Sequence, residues 1–113
     1  MLPQKRRISK AEFQSHARSG ARRNGKYFSI TIVFGKAGTP TKCAVVVSGK
    51  VSKKAVVRNK VKRRAYEALA QHTPKIKKGL LAVFYARPEA KGATFREIAD
   101  DIKNTMKTAG MFF

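Results

Sequence analysis

The stretch Ala55–Arg64, AVVRNKVKRR, carries five lysine or arginine side chains within seven residues, and apolar residues recur through it at helical spacing. At 100° per residue the apolar positions fall on one side of a helix and the basic positions fan around the rest. The apolar side consists of Val57, Val61, Ala65, Ala68 and Leu69. The pattern predicts a helix over about residues 53–71 that packs one side on a core and offers the other to phosphates.

Composition indicates one folded domain with a polyanionic partner. The chain has 113 residues, of which 42% are apolar, so residues 1–113 can bury a core as a single domain. The net charge of +20 opposes compaction through self-repulsion. Nucleic acid is the favoured partner because lysine and arginine release condensed counterions when they bind phosphates.

The basic residues are unevenly distributed along the chain. Between Phe13 and Tyr66 there is no carboxylate, yet there are fourteen lysines or arginines. A solvated structural surface normally mixes both signs of charge. We therefore interpret the basic run as a binding surface.

The sequence also predicts a reducing compartment and no membrane partner. The N-terminus, MLPQKRR, lacks the apolar region of a secretory signal, and no segment is long and apolar enough to span a bilayer. The single cysteine, Cys43, is expected to be a small buried hydrophobic residue. These features predict a cytoplasmic protein.

The N-terminal half is predicted to contain a basic arm, one helix and two strands. Residues 1–8 form the arm, and the helix begins at Ser9, where Ser9 and Glu12 match a capping box. Strict alternation over Tyr27–Phe34 predicts a half-buried strand, and the valine-rich residues 42–48 predict a second.

The C-terminal half is predicted to contain a strand and a second amphipathic helix after the basic one. The continuous apolar run Leu80–Ala86 is typical of a strand covered on both sides, and residues 87–92 follow it as a loop. Thr94 and Glu97 match another capping box, and Gly110 is expected to end the last helix.

The resulting element order is α-β-β-α-β-α, with an additional short strand expected near residues 21–25 or 49–51. Each helix needs a surface on which to bury its apolar side. A small mixed β-sheet packed with helices, an α/β sandwich, satisfies this requirement.

Residues suited to catalysis are not brought together by this sequence. Glu97, Asp100 and Asp101 share the last helix, where capping and a favourable helix dipole explain them better than a two-metal centre. His16 and His72 are far apart and lack metal-ligand spacing or a paired nucleophile. We therefore predict no catalytic residue, no metal site and no small-molecule ligand on the protein.

A set of motifs runs almost from one end of the chain to the other. It includes AEF at 11–13, a valine-rich strand that ends at Ser48, and ARP at 86–88 after the apolar strand. Its most specific part is KVSKKAVVRNKVKRR at 50–64, where an R-N-x-x-K-R core follows a lysine-rich connection. In these motifs the chain resembles the bacterial ribonuclease P protein family.

The resemblance implies a fold, a partner and a role. The fold would be an α/β sandwich with an unusual left-handed βαβ crossover. The RNA subunit would be the catalyst, using Mg²⁺ to hydrolyse a phosphodiester and release the 5′ leader of precursor tRNA, while the protein binds that RNA and the leader. The implied contacts to the RNA subunit are Lys50, Lys53, Lys54, Arg58, Asn59, Lys60, Lys62, Arg63 and Arg64.

The resemblance also implies a cleft for the leader between the open face of the sheet and the first helix. The residues expected there are Phe13, Ser29, Thr31 and Tyr66, and the basic arm adds Lys5, Arg6 and Arg7. Tyr66 falls on the polar arc of its helix, so contact with RNA competes with ordinary packing.

Two other function classes stay open at this point. A ribosomal or general structured-RNA-binding protein would have the same size and charge. A metal-dependent nuclease acting without an RNA subunit is the other, although six acidic residues offer few ligands.

Overall fold

A computed structural model describes residues 21–34, 38, 41–72 and 75–111. The predicted basic arm, the predicted helix from Ser9 and the candidate residue Phe13 lie outside these ranges. The described elements are β1 (Ala21–Asn24), β2 (Phe28–Phe34), β3 (Lys42–Val46), α1 (Ala55–His72), β4 (Leu80–Ala86), a 3₁₀ helix (Pro88–Gly92) and α2 (Phe95–Thr108).

The four strands form one mixed sheet in the order β1-β2-β4-β3. β2 pairs antiparallel with β1 and with β4, whereas β3 pairs parallel with β4. α1 is therefore the crossover of a β3-α1-β4 unit, and the left-handedness of this crossover stays a prediction. The α/β architecture itself is confirmed.

Most of the predicted elements are confirmed, with shifted ends. β3 stops at Val46 rather than residue 48, and α1 begins at Ala55. The additional strand is β1; residues 49–51 instead form a turn in which the Val51 N–H donates to the Ser48 carbonyl at 3.1 Å. The predicted loop over 87–92 is largely the 3₁₀ helix, which starts at Pro88 because the fixed proline φ suits a first helical position.

One face of the sheet packs against both helices. Strand register puts Ile30, Phe84 and Val45 in one row across β2, β4 and β3, and all three side chains are buried. Cys43 is 2% exposed in the same core, which confirms the prediction of a small buried hydrophobic residue. Three fully buried side chains from α2 complete this layer, namely Ile98, Ile102 and Met106.

The ends of α2 have the predicted caps. The Thr94 hydroxyl accepts a hydrogen bond from the Glu97 N–H at 3.2 Å, and the Glu97 carboxylate accepts one from the Thr94 N–H at 3.0 Å. At the other end, Gly110 has φ of 73°, and the Met111 N–H donates to the Met106 carbonyl at 3.1 Å. A left-handed residue in this position is what a Schellman-type ending requires.

A carboxylate of α2 holds the turn between β1 and β2. Asp101 accepts hydrogen bonds from the backbone N–H groups of Lys26, Tyr27 and Phe28 at 2.8, 2.9 and 3.0 Å. Gly25 lies so close that a Cβ atom there would collide with Thr105 Oγ1 and come within 2.8 Å of the Asp101 carboxylate. Asp101 thus joins the helix to the turn by accepting three backbone N–H groups, and the close approach requires a glycine at position 25.

Glu97 makes a second connection between α2 and the same turn. Its carboxylate accepts a hydrogen bond from the Tyr27 hydroxyl at 2.8 Å. The bond from the Thr94 N–H, followed by the bond from the Tyr27 hydroxyl, lowers the pKa of the Glu97 carboxyl below its ordinary value. Glu97 in the first turn of α2 and Asp101 in its middle therefore both have structural roles.

Replacing Asp101 by alanine should destabilise the protein by about 2–3 kcal/mol, because three backbone donors lose a charged acceptor. Thermal or urea unfolding of Asp101→Ala measures this loss. Asp100→Ala removes the same charge from the adjacent exposed position and should unfold nearly as the wild type does. Equal destabilisation by both changes would contradict the role given to Asp101.

The destabilisation caused by replacing Glu97 with glutamine should depend on pH. A carboxyl whose pKa is lowered by folding stabilises the fold above its unfolded value of 4.5, and this contribution disappears as the pH falls below 4.5 through the folded value. Glu97→Gln should therefore melt below the wild type at neutral pH, and the difference should shrink well below pH 4.5. Asp100→Asn is the control, and the same pH profile in both variants would refute the assignment.

Candidate nucleic-acid interface

α1 docks on the sheet through the side that the sequence predicted. Val61, Ala65 and Leu69 are buried, as is Ala68, whereas Val57 is half-buried near the start of the helix. The opposite side carries exposed polar and basic residues, namely Asn59, Lys60, Lys62 and Arg63. Packing therefore fixes the helix backbone and leaves a row of donors facing solvent.

The connection before α1 is also fixed, although its lysines are exposed. Ser52 is buried, and its hydroxyl accepts a hydrogen bond from the Lys54 N–H at 3.1 Å. Ser48 accepts one from the Lys50 N–H at 3.3 Å. The side chains of Lys50, Lys53 and Lys54 extend from this braced turn into solvent.

Two arginines at the interface are positioned by the protein itself. Arg58 donates from Nη1 to the Ser52 carbonyl at 2.9 Å, and Arg64 donates from Nη1 to the Ala93 carbonyl at 2.7 Å. Both are half-buried, and each keeps further N–H donors for a partner because a guanidinium carries five. Neither bond could be predicted from residue types, since both acceptors are backbone carbonyls.

The cations of this surface lack acidic partners within the described ranges. None of the nine predicted RNA-binding residues forms an ion pair shorter than 4 Å with a described carboxylate. Glu67 is the carboxylate that α1 itself carries. An arrangement of exposed cations without counter-charges suits a polyanion.

A cleft of about 440 Å³ runs along α1 beside these residues. Its described lining is spaced at positions i, i+3, i+4, i+7 and i+8 of one helix, namely Asn59, Lys62, Arg63, Tyr66 and Glu67. The cleft therefore brings together three residues of the R-N-x-x-K-R motif and Tyr66, which is one of the residues expected to contact the leader.

The position of Tyr66 corrects the prediction from the helical pattern. Tyr66 is 6% exposed rather than on the polar arc, and its hydroxyl accepts a hydrogen bond from the Val45 N–H at 3.1 Å. β3 is the last strand of the sheet, so the outward N–H of Val45 has no strand partner. A buried tyrosine suits this position, because its ring packs in the core while its hydroxyl accepts the hydrogen bond from the Val45 N–H.

The face of the sheet opposite the core contains the other expected leader contacts. Register places Ser29 beside Tyr85 and Thr31 beside Val83. Ser29 is only 5% exposed, so its side chain offers little surface, whereas Thr31 and Tyr85 are half-buried. Val46, which pairs with Tyr85, is 42% exposed.

Sequence reasoning missed Tyr85 and Val46 as members of this face. Their common side follows from the pairing of β3 with β4, which no local pattern reveals. The alternation within LLAVFYA would have placed Tyr85 with Leu81 and Val83, once the direction of the core was known.

The described residues contain neither a cluster of metal-ligating side chains nor a membrane-spanning helix. Within the part of the chain that the structure describes, no three His, Cys, Asp or Glu side chains cluster so that they could hold a metal ion. His72 lies at the end of α1, and His16 lies outside the described residues. No described helix combines the length and the apolar character needed to cross a bilayer.

Comparison with known proteins identifies the family. The Ribonuclease P family model matches residues 2–110. The chain belongs to the ribonuclease P protein family. It is 36% identical over 110 residues to the ribonuclease P protein component of Pseudanabaena sp., covering 96% of this chain and 95% of that protein. It is 37% identical over 110 residues to that of Kocuria rhizophila, covering 96% of each.

Solved structures of the same family share the fold. The chain superimposes on the Staphylococcus aureus RNase P protein with a TM-score of 0.83 and 26% identity, covering 96% of this chain and 98% of that one. A mutant of that protein with defective mRNA degradation activity gives a TM-score of 0.83 at 28% identity, covering 95% and 90%. The resemblance inferred from the motifs at 11–13, 50–64 and 86–88 is therefore confirmed.

Replacing Tyr66 by phenylalanine should reveal whether its hydroxyl serves the fold or the RNA. Loss of the hydroxyl leaves the Val45 N–H unsatisfied, so we expect a destabilisation of about 1–3 kcal/mol in urea unfolding. Affinity for precursor tRNA should stay within twofold of the wild type. Reduced affinity with unchanged stability would instead assign the hydroxyl to leader binding.

Proposed function

We propose that this chain is the protein subunit of ribonuclease P, and that it binds the RNA subunit through the solvent-facing side of α1 and the connection before it. The observation that supports this most strongly is the coincidence of the R-N-x-x-K-R motif with exposed residues on a helix whose other side is buried. Family membership makes the RNA subunit of ribonuclease P the expected partner and precursor tRNA the expected substrate.

Preorganisation explains why a folded helix serves better than a flexible basic tail. The backbone of α1 is held by its buried side, and the guanidinium groups of Arg58 and Arg64 are each anchored on a carbonyl. Less side-chain entropy is therefore lost on docking, and more of the electrostatic attraction appears as affinity. Lys62 and Arg63 are exposed and form no hydrogen bond or ion pair with another described residue, so they can bind phosphates directly.

The second part of the proposal concerns the 5′ leader. Thr31, Tyr85 and Val46 provide an amphipathic surface on the sheet face opposite the helices. A half-buried tyrosine can stack on an unpaired base, while threonine supplies a hydroxyl. This surface would favour precursor over mature tRNA because only the precursor carries the leader.

In this proposal the protein positions RNA and does not break the phosphodiester bond. The RNA subunit supplies the chemistry and requires Mg²⁺ for it, while the basic side chains reduce the repulsion between phosphates that must approach each other. A protein that acts on tRNA precursors functions in the cytoplasm, where these precursors are made, and the proposal therefore includes this location.

Reconstitution tests the proposed function. A bacterial ribonuclease P RNA transcript is assayed on precursor tRNA at low Mg²⁺ with and without this chain, and mature tRNA serves as the competitor. We expect the chain to raise cleavage and to increase affinity for precursor over mature tRNA. Cleavage unchanged by the protein would refute the proposal, and cleavage by the protein without RNA would favour a nuclease.

The α1 surface has its own prediction within this assay. If six to ten phosphates are contacted, log affinity for the RNA subunit should fall against log salt with a slope of roughly −4 to −9. Lys62→Gln/Arg63→Gln should make this slope shallower and weaken binding without lowering the melting temperature. Lys91→Gln/Arg96→Gln removes the same charge from exposed positions near the start of α2 and is the control.

A further inference from the structure

A second group of cations lies at the far end of α1 and is not part of the surface described above. The exposed lysines of the loop after α1 meet exposed lysines near the end of α2. We call these residues the C-terminal basic cluster, and they are Lys75, Lys77, Lys78, Lys103 and Lys107. His72 marks their meeting point, because both Lys75 and Lys103 act on it electrostatically.

The direction of the helices explains this juxtaposition. Arg64 of α1 reaches Ala93, just before α2, whereas His72 at the end of α1 faces Lys103, well inside α2. The two helices therefore run in the same direction, and their C-terminal ends lie together. Lys103 and Lys107 are four residues apart, so they project from one side of α2.

The loop that carries three of the lysines is fixed at its centre. The Lys77 N–H donates to the Met111 carbonyl at 2.7 Å, and the Lys77 carbonyl accepts a hydrogen bond from the Thr41 hydroxyl. Ile76 is buried in the core between two exposed lysines, and Gly79 has φ of 82° where the chain turns into β4. The backbone that carries these lysines is thus anchored to the end of α2 and to Thr41.

The cluster is separate from the α1 surface. Residues 65–71 contain no lysine or arginine and include Glu67. At 1.5 Å per residue, the helix axis rises about 12 Å from Arg64, the last basic residue of the α1 surface, to His72, and about 20 Å from Arg58. The two basic regions can therefore contact different segments of an RNA backbone at the same time.

Favourable interaction with the helix dipoles accounts for only some of the basic residues in the cluster. A cation near a helix C-terminus interacts favourably with the dipole, and His72 and Lys107 occupy such positions. However, burial lowers the pKa of His72, and the charges of Lys103 and Lys75 lower it further, so the group repels an additional positive charge. No ion pair within 4 Å joins these five lysines to a carboxylate in the described ranges.

The chemistry of the surface favours RNA over a lipid surface. An anionic membrane is recognised by cations combined with exposed apolar side chains. The large apolar residues that are exposed among the described residues are Val46 and Val56, and neither belongs to the cluster. Among the described residues, the cluster presents exposed ammonium groups and no large exposed apolar side chain, a combination suited to phosphates.

We propose that the C-terminal basic cluster is a second RNA-binding surface, and that the protein bridges two backbone segments of structured RNA through this cluster and α1. This inference rests on the proposed function, because it takes the RNA subunit as the partner. It assigns contacts to the C-terminal end of α1, whereas the R-N-x-x-K-R motif lies in the first half of that helix.

Salt dependence of binding to the bacterial RNA subunit transcript is the first test. Lys75→Gln/Lys103→Gln should make the slope of log affinity against log salt shallower by about 2, because roughly 0.9 counterion is released per phosphate contact. Lys91→Gln/Arg96→Gln carries the same charge change and should leave the slope as in the wild type. An equal change in both pairs would overturn the proposal, as would a lowered melting temperature with an unchanged slope.

Directed hydroxyl-radical probing is the second test. Cys43 is buried, so a cleavage reagent can be attached at a new exposed cysteine, Lys78→Cys on the cluster or Lys60→Cys on α1. We expect the two probes to cut different segments of the RNA subunit. Cuts from the α1 probe alone would overturn the second surface while leaving the proposed function intact, whereas the absence of binding and of activation in the wild type would contradict both.

Discussion

The packing of α1 against α2 and β3 is the contact on which the molecule's function depends. Val61, Ala65 and Leu69 bury one side of the helix completely or nearly so. Without this contact, a segment with five cations in seven residues would extend and repel itself. When the apolar side is packed, the same charges form a surface with fixed spacing. Burial of apolar side chains then offsets the conformational entropy lost in ordering the segment, so that binding to RNA does not have to offset it.

Most of the described carboxylates with a structural contact lie away from the binding surface of α1, and Glu67, which lines the cleft beside Arg63, is the exception. Asp101 and Glu97 face the turn between β1 and β2, and Glu89 pairs with Arg87 at 3.6 Å. α2 therefore carries most of the acidic groups that hold the structure together. This division leaves α1 and its connection strongly positive, as a partner of RNA requires.

Local pattern was sufficient for most of the described elements and for the side of α1 that faces solvent. The seam of α1, the capping box at Thr94 and the buried run Leu80–Ala86 all follow from periodicity and side-chain chemistry. Tyr66 was misplaced because its position on the helical wheel lies outside the apolar seam, whereas its long side chain reaches the edge strand β3 and its hydroxyl accepts from the Val45 N–H. Tyr85, Val46 and the lysines near His72 could not be grouped, since strand pairing and helix direction bring them together.

The bonds from Asp101 to the turn between β1 and β2 have a consequence for how the protein is made. They join residues 73 to 75 positions apart in sequence, so the turn near Tyr27 loses its acceptor whenever the last third of the chain is missing. Contacts of such long range form late and slow the search for the native state. On a ribosome the N-terminal end of the chain emerges first. The turn between β1 and β2 therefore lacks its hydrogen bonds to Asp101 until α2 has been translated. Until then, this strongly basic nascent chain lies beside ribosomal RNA.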